Sequence, residues 1–262
     1  MRIVWVLTGV LAVAAAGMAQ QQDAKAFLKQ VVQKYRNAKS LELSAEFTIE
    51  MSAGANQSKQ VIEGALVMQR PNLVVAKAQS GGMSLGEVYC DGKHIYLYQP
   101  AMKQYMKQPA PPNFENANAL QLGVFGALLS ALEQDVDKLE PSVKVEFRGT
   151  QTVAGKQMRV IEISESRGNR NSTARLFIGA QDLLVYRIEQ TEVTRPQQQG
   201  TGGQGGPTTP MTRKITVNLR YASFNKPIPA SRFRFTPPKD AKELKPPQPA
   251  APATPAPSGQ RR

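Results

Sequence analysis

One histidine, one cysteine and one tryptophan are all that the 262 residues contain. A single histidine, His94, excludes multi-histidine zinc sites and the H-E-x-x-H motif, so no metal or other cofactor is expected. A single cysteine, Cys90, excludes an internal disulfide, and the fold must stand on its core alone. Acidic residues are also scarce: 20 Asp and Glu face 33 Lys and Arg, for a net charge of +13. That balance favours anionic partners such as lipid head groups. The basic residues are nevertheless scattered, with no block of five and no base-reading motif, and nucleic acid is set aside as a partner. Long apolar runs are missing beyond residue 16, which predicts a mature chain that is soluble.

What is present begins with an exported chain's signature. Met1-Arg2 starts positive, Ile3 to Ala16 is apolar apart from Thr8 and Gly9, and Gly17-Met18-Ala19 offers small residues at a cleavage point. Residues 1–19 are read as a signal peptide, which implies the periplasm. Gln20, not Cys, follows the predicted cut, so no lipid anchor on a first-residue cysteine is expected. Residues 20–245 are read as one domain. Within it, 196–210 is a low-complexity stretch between strand-like segments, expected to be a long mobile hairpin loop. Residues 246–262 form a Pro/Ala-rich tail with almost nothing to bury, expected to be disordered or polyproline II.

Periodicity assigns the elements. Asp23 is a candidate N-cap, and Ala24, Phe27, Leu28, Val31, Val32 and Tyr35 recur at 3.6-residue spacing, predicting an amphipathic helix. The period then switches to two: Leu43, Ala45, Phe47, Ile49, Met51 and Ala53 alternate with polar residues. Strands are predicted over Gln60–Gln69, Asn72–Ala78, Leu85–Cys90 and His94–Gln99, with Asp91-Gly92 as a tight type I′ turn. Leu120, Val124, Phe125, Leu128, Leu129, Leu132 and Val136 predict a second helix with a broad apolar face. Strands over Val143–Thr152, Met158–Glu165, Thr173–Ile178, Leu183–Thr194 and Arg213–Tyr221 complete an α+β chain, with helices gathered on one face of a large twisted sheet.

One pentapeptide suggests chemistry. Gly82-Met83-Ser84-Leu85-Gly86 fits Gly-x-Ser-x-Gly, and Asp91 and His94 follow in hydrolase order. A nucleophile elbow needs a helix after the serine, whereas the residues after Ser84 alternate as a strand and run into a turn. No oxyanion hole at a helix N-terminus is supplied. The motif is read as a Gly-rich turn, no catalytic residue is expected, and the chain is read as a binding protein rather than an enzyme.

The residues from 24 to 108 resemble the first half of LolA-like outer-membrane lipoprotein carriers. The shared pattern is Phe47-Thr48, Gly64-x-Leu66, Arg70-Pro71-Asn72-Leu73, then Asp91-Gly92-Lys93-x-Ile95-Tyr96-x-Tyr98-x-Pro100 with Gln104 nearby, and Phe233–Leu244 resembles the closing segment. The resemblance implies an unclosed β-barrel, a half-barrel whose concave face is covered by helices and holds acyl chains ferried between membranes. It makes Phe47, Ile49, Met51, Leu66, Met68, Leu73 and Val75 candidate cavity walls, and Leu120, Val124, Phe125, Leu128 and Leu129 a candidate lid. Arg70 becomes the candidate gate, through a hydrogen bond to that lid. Partners implied are a lipid or lipidated protein, transient membrane contact, and inner- and outer-membrane proteins for loading and unloading. Departures are the absence of tryptophan before Arg70, the 196–210 loop and the basic tail, and they favour an amphiphile other than a lipoprotein. Two other readings stay open: a lipid-responsive sensor of the same fold that binds a membrane regulator, and an adaptor whose core is filled. Periodicity alone leaves a packed core and a cavity equally open.

Overall fold

The switch of period after residue 38 marks the point where one helix gives way to a sheet that occupies most of the chain. The structure, a computed structural model, describes residues 23–113, 121–153, 155–196 and 209–245. The expected signal peptide, most of the 196–210 loop and the Pro/Ala tail lie outside the described residues.

Helix α1 (23–36) leads into β1 (Ser40–Ala53), β2 (Asn56–Gln69), β3 (Leu73–Ser80), β4 (Met83–Asp91), β5 (His94–Gln99) and β6 (Gln104–Pro109). Helix α2 (Val124–Leu132) follows, then β7 (Lys144–Val153), β8 (Lys156–Arg167), β9 (Arg170–Gly179), β10 (Val185–Thr194), β11 (Met211–Phe224) and β12 (Lys242–Leu244). The strands form one 12-stranded sheet in the order β12-β6-β5-β4-β3-β2-β1-β11-β10-β9-β8-β7. Two runs of hairpins, β1–β6 and β7–β11, therefore meet where β1 pairs with β11, Leu41 opposite Phe224 and Ala53 opposite Met211. All pairings are antiparallel except β12 on β6. The end strands β7 and β12 are not paired with each other, which makes this the unclosed half-barrel that the resemblance implies.

Both helices lie on one face of the sheet. The α1 stripe of Ala24, Phe27, Leu28, Val31, Val32 and Tyr35 is buried, and Asp23, expected to cap it, is itself helical. Phe27 stacks on Phe147 at 5.6 Å and Tyr35 meets Phe224 at 5.9 Å, so α1 serves the β7–β11 half. Phe125 of α2 meets Phe47 edge-on at 5.7 Å and serves the other half. The second helix is shorter than its apolar pattern suggested: it stops at Leu132, and Val136 belongs to a separate 3₁₀ turn.

A buried polar knot fixes α1. Val185 N–H donates to Tyr35 Oη (2.8 Å) and Tyr221 O–H donates to Val185 C=O (2.7 Å). Tyr221 has then used its proton, so Tyr35 donates to Tyr221 Oη across 2.6 Å. Burial pushes both phenols well up, and both protons stay in place. Tyr35→Phe strands the Val185 N–H and is expected to cost about 1–3 kcal/mol. In a thermal melt that is a fall of roughly 3–8 °C.

The opposite face carries a second, smaller core, in which Val67 and Val75 pack under Ile228 and Phe233 of the C-terminal segment. Further along, Phe235 sits among Tyr89, Tyr96, Tyr98 and Tyr105 with ring centroids 5.0 to 5.6 Å away. Thus anchored, the segment ends as β12, which covers the otherwise open edge of β6.

Candidate functional site

Small residues create the first opening in this sheet. On the helix-bearing face, Ala76 and Ala78 of β3 stand opposite Val88 and Gly86 of β4, and the row continues through Leu97 of β5 to Met106 of β6. Ala76, Ala78 and Gly86 reach only a short way off the sheet and leave space unfilled between it and α2. The result is a half-open cleft of about 390 Å³ between β3–β6 and the N-terminal end of α2. Val124 and Phe125 roof it, Ile62 and Leu122 flank it, and Leu85, Met102 and Leu244 stand at its mouth with Gln99, Gln104, Tyr98 and Tyr105.

The Gly-x-Ser-x-Gly stretch builds that mouth. Ser80 pairs with Met83, so the central turn residues are Gly81 and Gly82, both at positive φ (56° and 77°). This is the type I′ turn of the region. Gln79 pairs with Ser84 but Ala78 with Gly86, which leaves Leu85 as an extra residue in a β-bulge beside Gly86 (φ 146°) and places it on the cleft. The expected turn at Asp91-Gly92 is shifted by one: Cys90 pairs with Ile95, Gly92 alone has positive φ, and the Asp91 carboxylate accepts from the N–H groups of Lys93 and His94. Ser84 lies seven residues before Asp91 on β4, roughly 20 Å away along an extended strand, and His94 lies beyond the turn. The structure does not bring the three together.

The candidate wall residues divide into three groups. Phe47, Leu66 and Met68 are buried in the main core and fill their space with their own side chains. Ile49 is half-buried and Met51 exposed, nearer the hairpin end of β1. Leu73 and Val75 are corrected to the other face: Val75 stands opposite Val67, and both belong to the core beneath the C-terminal segment. A one-residue difference in strand parity exchanges the two faces, and the helix-side residues of β3 are Val74 and Ala76. Of the lid candidates, Val124 and Phe125 line the cleft, Leu128 and Leu129 bury α2 in the core, and Leu120 lies outside the described residues.

The Arg-Pro-Asn motif holds α2 at one end. Arg70 donates from Nη2 to Glu133 Oε1 (2.6 Å) and from Nε to the Ala38 carbonyl (3.0 Å). Glu133 is the C-cap of α2, and Arg36 Nε donates to its carbonyl at 2.9 Å, a cation at the negative end of the helix. Lys29 pairs with Asp137 just beyond. Burial pushes the Glu133 carboxyl above its ordinary value, and Arg70 pulls it part of the way back. Asn72 donates to the carbonyls of Gly92 and Pro111, tying this corner to the β4–β5 turn. Among the described residues the other end of α2 is held by apolar packing rather than by ion pairs: its N-cap is Gly123, which has no side chain to cap it, and Leu122 and Phe125 are buried. The helix is tied at its C-terminus and lies over the cleft at its N-terminus.

A wider hollow of about 860 Å³ crosses the central strands and is lined by Glu46, Glu63, Lys77, Glu87, Lys156 and Arg220. Lys77 and Glu87, paired at 3.2 Å, border both openings, whereas Glu46, Glu63, Lys156 and Arg220 line only this one. Hydrocarbon prefers the first cleft to this charged one. Among the described residues no cluster of three or more His, Cys, Asp or Glu is placed to hold a metal, and no helix is long and apolar enough to cross a membrane.

Residues 24–202 match the family model described as "Predicted periplasmic protein (DUF2092)". The chain belongs to the DUF2092 family. The DUF2092 chain is therefore periplasmic, as its N-terminal signature predicts. An uncharacterised protein of Methanocaldococcus jannaschii is 22% identical over 227 residues, 87% of this chain, and the chain spans 55% of that relative's length. Among solved structures, a LolA superfamily protein from Nitrosomonas europaea is 8% identical, covers 81% of this chain and 97% of its own, and superposes with a TM-score of 0.31. A DUF1329 family protein from Desulfovibrio piger is 11% identical, with 78% and 93% covered and a TM-score of 0.30.

Proposed function

We propose that this chain binds the hydrocarbon tail of a membrane-derived amphiphile in the cleft beneath α2 and carries it through the periplasm. One observation supports this most: a largely apolar opening of about 390 Å³, floored by small residues and roofed by the N-terminal end of α2, whose ion pair lies at its other end. A methylene is close to water in size, roughly 30 Å³ of liquid volume, so the cleft suits one chain of about a dozen carbons rather than three. At about 0.8 kcal/mol per methylene, such a chain resists entering water by roughly 10 kcal/mol. A soluble container removes most of that barrier. No covalent chemistry is involved, and the polar end of the cargo stays at the mouth among Gln99, Gln104 and Tyr105.

Protein purified without detergent and extracted with organic solvent is expected to release a single-chain or mixed lipid in near-stoichiometric yield, identified by mass spectrometry. A fluorescent fatty acid should bind the emptied protein. Ala78→Phe fills the cleft floor and is expected to weaken that binding at least ten-fold, with the melting temperature within about 5 °C of the original. An empty extract together with no probe binding would discard the carrier reading.

A further inference from the structure

The two most exposed of the large apolar side chains among the described residues, and two others, lie at or beside the cleft mouth. Met83 is 73% exposed, Met102 68%, Leu85 45% and Leu244 41%. The last three line the cleft, and Met83 stands two residues before Leu85 at the tip of the β3–β4 hairpin. Each is presented by a firm piece of backbone rather than by a loose loop. The hairpin tip is the Gly81-Gly82 type I′ turn. Met102 ends the 3₁₀ turn Pro100–Met102, closed by the Lys103 N–H on the Pro100 carbonyl. The adjoining chain is basic: Lys239, Lys242 and Lys245 are exposed, against Glu243, while Lys103 is paired with Asp240 at 2.6 Å. The whole chain carries +13.

We infer that this edge is a docking surface for an anionic lipid bilayer, which sets the cleft mouth against the membrane surface. The inference rests on the carrier reading of the same cleft, and it adds where the cargo enters and leaves. A patch meant for a folded protein partner is broad and packed; here single long side chains project from two turn tips, with exposed lysines in the neighbouring C-terminal segment. That is the arrangement suited to a bilayer interface, where methionine and leucine reach the boundary of head groups and acyl chains and lysines meet the phosphates. With the mouth against the lipid, a tail passes from membrane to cleft without crossing water.

Flotation with vesicles tests this. The full chain is expected to float with vesicles of phosphatidylethanolamine and phosphatidylglycerol, and several-fold less with pure phosphatidylcholine. Met83→Asp combined with Met102→Asp alters two largely exposed side chains and should leave the fold intact; the bound fraction is expected to fall at least ten-fold. Met51→Asp, an exposed apolar position on β1 away from the mouth, should stay within two-fold of the original. Met83→Asp alone, at a side chain outside the cleft lining, should float several-fold less and, in vesicle-free solution, still take up the fluorescent fatty acid within two-fold. A wild-type chain that fails to float overturns the inference and turns attention to a protein receptor. Flotation unchanged by the double substitution overturns the assigned surface. Flotation lost in the double variant, with no fatty-acid uptake by any variant, keeps the docking edge and removes the carrier reading instead.

Discussion

Gly64→Ala is expected to cost about 3 kcal/mol, although it adds a single methyl group. A β-carbon at Gly64 would stand 2.3 Å from the backbone oxygen of Lys77 and 2.8 to 2.9 Å from the ring of Phe125. The first neighbour is main chain in the next strand and cannot swing aside, and the second is the aromatic that seats α2 on the sheet. Overpacking of this kind costs about 1–3 kcal/mol, and here it is met on two sides. The melting temperature should fall by roughly 10 °C. Because Phe125 also roofs the cleft, the fatty-acid probe should leave faster. Adding Phe125→Leu to Gly64→Ala should recover part of the loss, since one of the two obstacles is removed. A single variant within about 1 kcal/mol of the parent would show that Gly64 does not set the height of the helix above the sheet.

Arg70→Leu acts at the other end of α2. The Arg70 and Glu133 side chains are 28% and 26% exposed, so their 2.6 Å pair lies between a surface pair and a buried one. Removing the guanidinium leaves Glu133 with less support in a half-buried place, at a cost of about 2 kcal/mol. If all of this loosens the lid, the probe dissociates up to about 30-fold faster. The sign with pH follows from the carboxyl. Its folded-state pKa is raised, so what Glu133 contributes is present below the ordinary glutamate value and is lost as pH rises through the folded one. Without Arg70 the raise grows, and the destabilisation by Arg70→Leu should be largest near pH 7 and shrink towards pH 4. Melting curves across that range check it, and a pH-independent difference would remove the ion pair as the cause. Adding Glu133→Leu to Arg70→Leu should restore much of the stability but not the slow probe release.

How far this could be foreseen differs from strand to strand. β1 was plain, because its apolar side chains alternate with polar ones over its whole length and one face is covered by helices. β3 was not. Val74 and Val75 are consecutive and both buried, one under the helices and the other under Ile228 and Phe233, so alternation gives no sign of which face is which. Alternation alone therefore does not separate Leu73 and Val75, which face the C-terminal segment, from the helix-side residues. β6 and β12 escaped notice for a simpler reason: the first runs into Pro109, and the second is three exposed residues held to an edge. Arg70 was legible through its motif, but its partner Glu133 was not, because nothing in the apolar stripe of α2 marks the residue that ends the helix. The cleft itself was half legible. Val88, Leu97 and Met106 alternate visibly, yet the space depends on Ala76, Ala78 and Gly86 falling in adjoining strands, which only the register reveals.

The join of β1 to β11 has a consequence for how the chain reaches this shape. Hairpins of neighbouring strands close short loops and can assemble within microseconds, whereas Leu41 must find Phe224 across most of the chain. Each half can zip locally, but the sheet becomes continuous only when the last long strand has arrived. Until then the first strand has a bare margin and a wet greasy face, the state in which a nascent polypeptide most needs protection from its neighbours.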